Sequence, residues 1–135
     1  MNYQESLDFI YGQLPSYQLL GSGAYKENLN NINALLNVLD RPQKKIKFVH
    51  IAGTNGKGTS AHAIAAVLQA SNYKVGLYTS PHLKSFRERI KIDGNEIDKN
   101  FIIDFVEHYK NVIKDISPSF FEMTVAMAYH YFAEN

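Results

Sequence analysis

The sequence FVHIAGTNGKGT, residues 48–59, joins a short apolar run to a glycine-rich loop. Residues 48–52 are rich in types that favour strands, so they predict a short β-strand. Apolar residues recur at helical spacing from Ala63 to Leu68 and predict an amphipathic helix that continues to Asn72. Strand, glycine-rich loop and helix in this order are typical of a site that binds the phosphates of a nucleotide triphosphate.

The loop contains the groups that a triphosphate needs. Backbone N–H groups at a helix N-terminus donate to phosphate oxygens, and glycine leaves that approach open. Lys57 would place a cation near the β- and γ-phosphates, and the Thr59 hydroxyl would bind a phosphate oxygen or Mg²⁺. The predicted nucleotide-binding residues are Gly53, Thr54, Asn55, Gly56, Lys57, Gly58 and Thr59.

The spacing within this loop is irregular for a general P-loop. Only two residues separate Gly53 from Gly56, and Gly58 stands between Lys57 and Thr59. On this pattern alone, a glycine-rich turn that serves only tight packing remains an alternative.

The sequence after the loop extends the unit to strand, helix and strand. Residues 74–79 predict a second strand, and such a unit places its two strands in parallel with a right-handed crossover. The alternation from Ile90 to Ile97 around Asp93-Gly94 predicts a β-hairpin. We therefore predict an α/β fold with a parallel sheet, in which the hairpin lies at an edge.

Apolar periodicity predicts four further helices. Asp98 is a suitable N-cap for the helix that follows the hairpin, and Ser117-Pro118 ends that helix. A parallel strand normally follows the last helix of such a unit, so we expect the chain to be a fragment. The alternative is a small complete domain in which one of its own helices, or a partner, occupies the place of the missing strand. The predicted helices are Tyr3 to Leu14, about Tyr25 to Leu39, Asp98 to Ile116, and Ser119 to the end.

Length, charge and cysteine content exclude several classes of protein. The 135 residues suit one domain, and 14 Lys+Arg against 13 Asp+Glu give no argument for binding nucleic acid or a membrane surface. The chain has no Cys, which excludes disulfides and thiolate metal sites. We found neither a signal peptide nor a long apolar run, so we expect a cytoplasmic protein.

Four blocks of sequence resemble the N-terminal part of folylpolyglutamate synthase/dihydrofolate synthase, in the Mur ligase superfamily. They are residues 50–59, 76–83, 87–90 and 120–122. The irregular loop spacing is this family's own variant. The resemblance implies that residues 1–135 are the N-terminal part of an ATP-binding Mur ligase-type domain with a P-loop NTPase-like parallel sheet, truncated after its first strands and helices. It also implies that the glutamate-binding C-terminal domain is absent.

The resemblance implies an ATP-dependent ligase that joins L-glutamate to dihydropteroate or a folate through an acyl phosphate, with Mg²⁺. Lys57 would be its catalytic residue, because it would neutralise the charge that develops in phosphoryl transfer. Further Mg²⁺ ligands of the family lie beyond the end of this chain, so we expect the chain alone to be inactive. We expect the parent protein to be monomeric and this piece to be able to self-associate.

The resemblance also assigns residues outside the loop. Ser80 would bind Mg²⁺ through its hydroxyl, and the pterin side would involve His82, Ser119, Phe120, Phe121 and Glu122. From the residues alone, Ser80-Pro81 is also suited to a simple turn, and Ser119 with Glu122 to a helix capping box. Since adjacent helical residues cannot both face one pocket, core packing remains open for one of the two phenylalanines.

Two other functions remain as alternatives. One is a non-catalytic domain that only binds nucleotide. The other is a small P-loop kinase or NTPase, which is disfavoured because no acidic strand end follows the loop and residues 79–82 have no role there.

Overall fold

The computed structural model describes residues 1–13 and 28–135. Residues 14–27, which include the last residue of the first predicted helix and the start of the second, lie outside the described residues. No helix in the described ranges is both long and apolar enough to cross a membrane. In chain order the elements are α1 (Tyr3–Gly12), α2 (Asn30–Val38), α3 (Lys57–Ala70), β1 (Gly76–Tyr78), β2 (Ile90–Ile92), β3 (Asn95–Glu96), α4 (Lys99–Ile116) and α5 (Phe120–Glu134). Two 3₁₀ turns, Pro42–Lys44 and Phe86–Arg89, connect them.

Local side-chain caps set where several of these helices begin. Asn2 accepts from the backbone N–H of Glu5, and the Glu5 carboxylate accepts in return from the backbone of Asn2. The Asp98 carboxylate accepts from Asn100 N–H at 2.7 Å, as its predicted N-cap role requires. Each cap satisfies a backbone N–H that has no partner within its helix.

The three strands form an antiparallel sheet in the order β1-β2-β3. Asp93 and Gly94 join β2 to β3 with φ angles of 48° and 81°, which is the backbone of a tight hairpin turn. The Asp93 carboxylate accepts from Val75 N–H at 2.8 Å and its own N–H donates to Val75 O at 2.9 Å, so the turn is tied to the start of β1. The predicted hairpin is therefore confirmed, with β2 in the centre of the sheet.

The predicted strand at residues 48–52 and its parallel pairing with residues 74–79 are absent from the described structure. Phe48 and Val49 are exposed, and none of the backbone hydrogen bonds in the described residues connects 48–52 to another segment. A strand exists through its hydrogen-bonded neighbour. The neighbour of β1 is the antiparallel β2, so in this part of the fold the sheet is antiparallel rather than parallel.

The core lies among α1, α2, α4, α5 and the sheet. Helices α4 and α5 contribute four buried apolar residues each, and those of α5, Met123, Ala126, Met127 and Ala128, are fully buried. Helix α3 differs, because none of its residues is buried and it packs mainly against β1. Residues 53–59, the glycine-rich loop that precedes α3, are also exposed.

Candidate functional site

The glycine-rich loop ends at the open N-terminus of α3. Gly56 is the N-cap, with φ 75° and ψ 8°, a left-handed conformation that glycine adopts without strain. The first helical hydrogen bond runs from Ser60 N–H to Gly56 O at 2.9 Å. None of the hydrogen bonds found among the described residues uses the N–H groups of residues 57–59. These groups are available to an anion, and the helix dipole favours one there.

Lys57 lies over the same loop. Its ammonium group donates to Gly53 O and, at 3.5 Å, to Thr54 O. The space beside the loop is open, since a Cβ atom added at Gly56 or Gly58 would meet nothing within 4 Å. The loop therefore offers backbone donors and a cation on an accessible surface, which is the chemistry that a polyphosphate requires.

A second group of polar side chains surrounds Arg89. The Ser80–Pro81 peptide bond is cis, and the Ser80 Oγ accepts from Arg89 Nη1 at 2.8 Å. Arg89 Nε donates to His82 Nδ1 at 2.8 Å, and His82 Nε2 lies 3.2 Å from the Tyr11 hydroxyl. Burial and then the charge of Arg89 lower the pKa of His82. His82 is therefore neutral near pH 7, with its proton on Nε2.

Aromatic rings border this group. The Phe120 ring is stacked on Tyr11 with ring centres 5.9 Å apart, and Phe86 meets it edge-on at 6.4 Å. The Arg89 guanidinium carbon lies 5.1 Å from the centre of the Phe120 ring, within cation–π range. Phe121, the next residue, is 58% exposed and contacts Tyr78 instead. The two adjacent phenylalanines thus take separate positions, as helical geometry requires.

Ser119 and Glu122 form the capping box that their spacing allows. The Ser119 hydroxyl accepts from Glu122 N–H at 3.2 Å, and the Glu122 carboxylate accepts from Ser119 N–H at 2.8 Å. Both side chains hold the start of α5, directly beside Phe120. Their role in contacting a pterin stays a prediction.

The structure brings some predicted site residues together and leaves others apart. Ser80, His82 and Phe120 meet around Arg89. No hydrogen bond or aromatic contact among the described residues joins the loop at 53–59 to them. Arg89, the centre of the group, was not among the predicted site residues, because its only signal in the sequence was membership of the block at residues 87–90.

The donor set fits Mg²⁺ only in part. No group of three or more His, Cys, Asp or Glu side chains that could hold a metal ion occurs in the described parts of the chain. Ser80 and Thr59 would each contribute one hydroxyl oxygen. Mg²⁺ usually takes few protein ligands and completes its shell with water and substrate phosphates. These residues therefore suit an ion that arrives with a phosphate group rather than a cage built by the protein.

Sequence comparison connects this arrangement to known proteins. No protein-family model matches the chain. The chain is 37% identical over 137 residues to a probable bifunctional folylpolyglutamate synthase/dihydropteroate synthase of Haloferax volcanii, covering 98% of this chain and 16% of the relative. It is 36% identical over 141 residues to the folylpolyglutamate synthase of Lacticaseibacillus casei, covering 99% and 31%. The chain thus spans less than a third of the length of these two relatives.

Solved structures agree with the sequence relatives. The crystal structure of folylpolyglutamate synthase from Thermotoga maritima matches with a TM-score of 0.83 and 36% identity, over 98% of this chain and 30% of that chain. A complex of folylpolyglutamate synthase with AMPPCP and folate matches with a TM-score of 0.78 and 38% identity, over 99% and 33%. These matches confirm the predicted combination of helices and a sheet, although the sheet among the described residues is antiparallel and not parallel as predicted. By sequence and by fold, the chain therefore matches a segment of the folylpolyglutamate synthase/dihydrofolate synthase family over nearly all of its length.

Proposed function

We propose that this chain is the ATP- and pterin-binding N-terminal portion of an ATP-dependent ligase that joins L-glutamate to dihydropteroate or a folate. In this reaction ATP phosphorylates the carboxylate, and the amine of glutamate then displaces phosphate from the acyl phosphate. The chain would form the N-terminal part of the ATP-binding domain and would lack the glutamate-binding domain. It would be inactive alone.

The open N-terminus of α3 is the observation that carries this proposal. Three consecutive N–H groups without described partners, a left-handed Gly56 and the Lys57 ammonium lie at one exposed loop. A similar solved chain is a complex with the ATP analogue AMPPCP and folate. Together they support assigning Gly53 to Thr59 to the ATP phosphates, with Lys57 as the catalytic cation that stabilises charge on the transferred phosphoryl group.

The group around Arg89 would serve the other substrate. The half-buried Phe120 ring offers a flat aromatic face beside His82, which suits a planar pterin ring. Ser80 and Thr59 would hold Mg²⁺ together with phosphate oxygens, and the bound ion would neutralise charge on the transferred phosphoryl group. Ser119, Phe121 and Glu122 would contact the pterin at the edge of this site.

Calorimetric titration of the 135-residue chain with Mg²⁺-ATP tests the nucleotide site. We expect saturable binding to the native chain and a loss of at least about tenfold in affinity in Lys57→Ala, since the hydrogen bonds of a charged group typically contribute about 1.5–3 kcal/mol. Lys114→Ala is the matched control, because it removes the same charge from α4, whose main packing is with α1 and α2.

The outcomes separate the proposals. Equal weakening by Lys57→Ala and Lys114→Ala would mean that general charge, and not the loop, binds the nucleotide. Absence of heat from a folded chain would contradict a preformed nucleotide site. ATP hydrolysis by the chain without any pteroate would favour a small P-loop NTPase instead.

A further inference from the structure

Arg89 is a buried cation without an anionic partner in the part of the chain that the structure describes. It is 7% exposed, and none of the ion pairs found there includes it. Among the described residues, its side chain contacts the neutral side chains of Ser80, His82 and Phe120. A buried charge costs free energy unless its hydrogen bonds are made. The hydrogen bonds to Ser80 and His82 therefore offset part of the cost of burying Arg89.

The shape of the guanidinium group links these two side chains to each other. Its donors lie in one rigid plane, in which Nε donates to His82 Nδ1 and Nη1 donates to Ser80 Oγ, both at 2.8 Å. The same group lies 5.1 Å from the centre of the Phe120 ring. A lysine has a single flexible ammonium centre and cannot reproduce this fork. The arrangement thus requires an arginine rather than any positive charge.

We propose that Arg89 is the positioning residue of this site, because it holds the Ser80 hydroxyl and the His82 ring in fixed orientations against Phe120. The inference rests on the proposed function for the identity of the ligands, but the contacts themselves do not depend on it. Since Arg89 donates to Nδ1, His82 carries its proton on Nε2 and donates to Tyr11. Since Nη1 donates to Ser80 Oγ, the hydroxyl hydrogen and the second lone pair of Ser80 remain for a ligand.

The proton on His82 Nε2 connects Arg89 to helix α1 through a hydrogen bond to Tyr11. His82 Nε2 lies 3.2 Å from the Tyr11 hydroxyl, and Tyr11 stacks on Phe120. Arg89, His82, Tyr11 and Phe120 therefore form a closed ring of contacts. Loss of the first hydrogen bond should loosen the others, because hydrogen bonds in such a network support each other.

The test compares three variants of the ligand-free 135-residue chain by NMR of the imidazole nitrogens and by thermal unfolding. Arg89→Lys keeps the charge and most of the apolar stem, whereas Arg89→Met keeps only the stem. Arg87→Lys is the matched control, because Arg87 lies in the same 3₁₀ turn but bonds to Ile97 O and Glu96. The spectra report the tautomer of neutral His82, and proton–proton NOEs report its contact with Phe86, whose ring centre lies 6.4 Å away.

We expect a single Nε2–H tautomer and persistent ring contacts in the native chain and in Arg87→Lys. Both Arg89 variants should show a mixture of tautomers and lose the His82–Phe86 NOEs. If Arg89 acted only through its charge or its bulk, Arg89→Lys would keep both signals.

Three results would overturn the proposal. They are native-like signals in Arg89→Lys, an Nδ1–H tautomer in the native chain, and a loss of fold in Arg89→Lys, which would make the role purely structural. If Arg89→Met alone fails to fold, Arg89→Lys decides the outcome. Failure of the Mg²⁺-ATP titration with the expected NMR result would remove the proposed function and leave the positioning role in place.

Discussion

At Gly76, strand β1 lies directly against the Phe132 ring of helix α5. A Cβ atom at this position would lie 2.7 Å from two atoms of the Phe132 ring, closer than carbon atoms can pack. We expect Gly76→Ala to lower the free energy of unfolding by about 1–3 kcal/mol, the usual cost of overpacking. Urea denaturation followed by circular dichroism measures the change.

Gly12→Ala is the control for that substitution. Gly12 is the last residue of α1, and an added Cβ would meet nothing within 4 Å there. Alanine favours a helix over glycine, so its effect should be neutral or stabilising by up to about 1 kcal/mol. Equal effects of the two substitutions would show that the Gly76–Phe132 approach is not a tight contact in solution.

At this scale, chemistry between neighbours along the chain was predictable. The Asp98 cap and the Ser119–Glu122 capping box join residues two or three positions apart, and both were read from spacing. The network of contacts around Arg89 was not predictable, because it includes a contact between His82 and Tyr11, which lie 71 positions apart along the chain. A sequence pattern does not report which distant side chains meet.

Among the elements, the turn before β2 depends on a single carboxylate. Glu88 accepts from the N–H groups of Leu83, Lys84 and Ser85 at 3.0, 3.0 and 2.7 Å. The hydrogen bonds from Leu83 and then Ser85 lower the pKa of Glu88. Because its pKa is lower in the folded state, the turn is stabilised above the unfolded-state pKa of about 4.3 and loses this as pH falls through the folded-state value.

We therefore expect the amide protons of residues 83–85 to lose their hydrogen-bonded chemical shifts as the pH falls through the lowered pKa of Glu88, while the rest of the fold persists. NMR spectra of the amides across an acid titration measure this. Glu88→Gln should show the loosened shifts already at neutral pH and no further change on acidification. The same titration in both chains would mean that another carboxyl group controls the turn.

The predictions of helices and turns succeeded where the residues within the segment are sufficient to specify its structure. Helix α4 and the Asp93-Gly94 hairpin follow from apolar spacing and turn chemistry within the segment. The strand expected at residues 48–52 failed because a strand needs a neighbour, and no described segment pairs with it. The composition of a segment indicates its tendency to form an extended backbone, but it does not indicate which other strand it pairs with.

On the scale of the whole molecule, α3 presents an apolar surface to solvent. Ile64 is 38% and Val67 66% exposed, and Phe48 and Val49, which precede the glycine-rich loop in the sequence, are also exposed. We propose that the isolated chain self-associates through this surface, since exposed apolar area favours association. Sedimentation velocity over a range of concentrations should show a concentration-dependent increase in mass.

Val67→Glu should reduce that association, because it places a charge in the centre of the apolar surface of α3. Val38→Glu is the matched control, since Val38 is 44% exposed at the end of α2, away from this surface. An equal reduction by both would point to net charge as the cause. Unchanged association in Val67→Glu would place the contact elsewhere on the molecule.

We expect the chain to bind Mg²⁺-ATP but to join no glutamate. A ligase of this kind must align the carboxylate with ATP and then the glutamate amine with the acyl phosphate, and proper alignment contributes about 7–11 kcal/mol to such reactions. Here the loop is exposed, and the chain covers 31% of the L. casei relative. Mass spectrometry of a mixture of the chain with ATP, dihydropteroate and L-glutamate should detect no glutamylated product. The full-length L. casei folylpolyglutamate synthase with a folate substrate is the positive control for glutamate addition. Product formed by the 135-residue chain, and lost in Lys57→Ala, would mean that these residues already contain a complete ligase site.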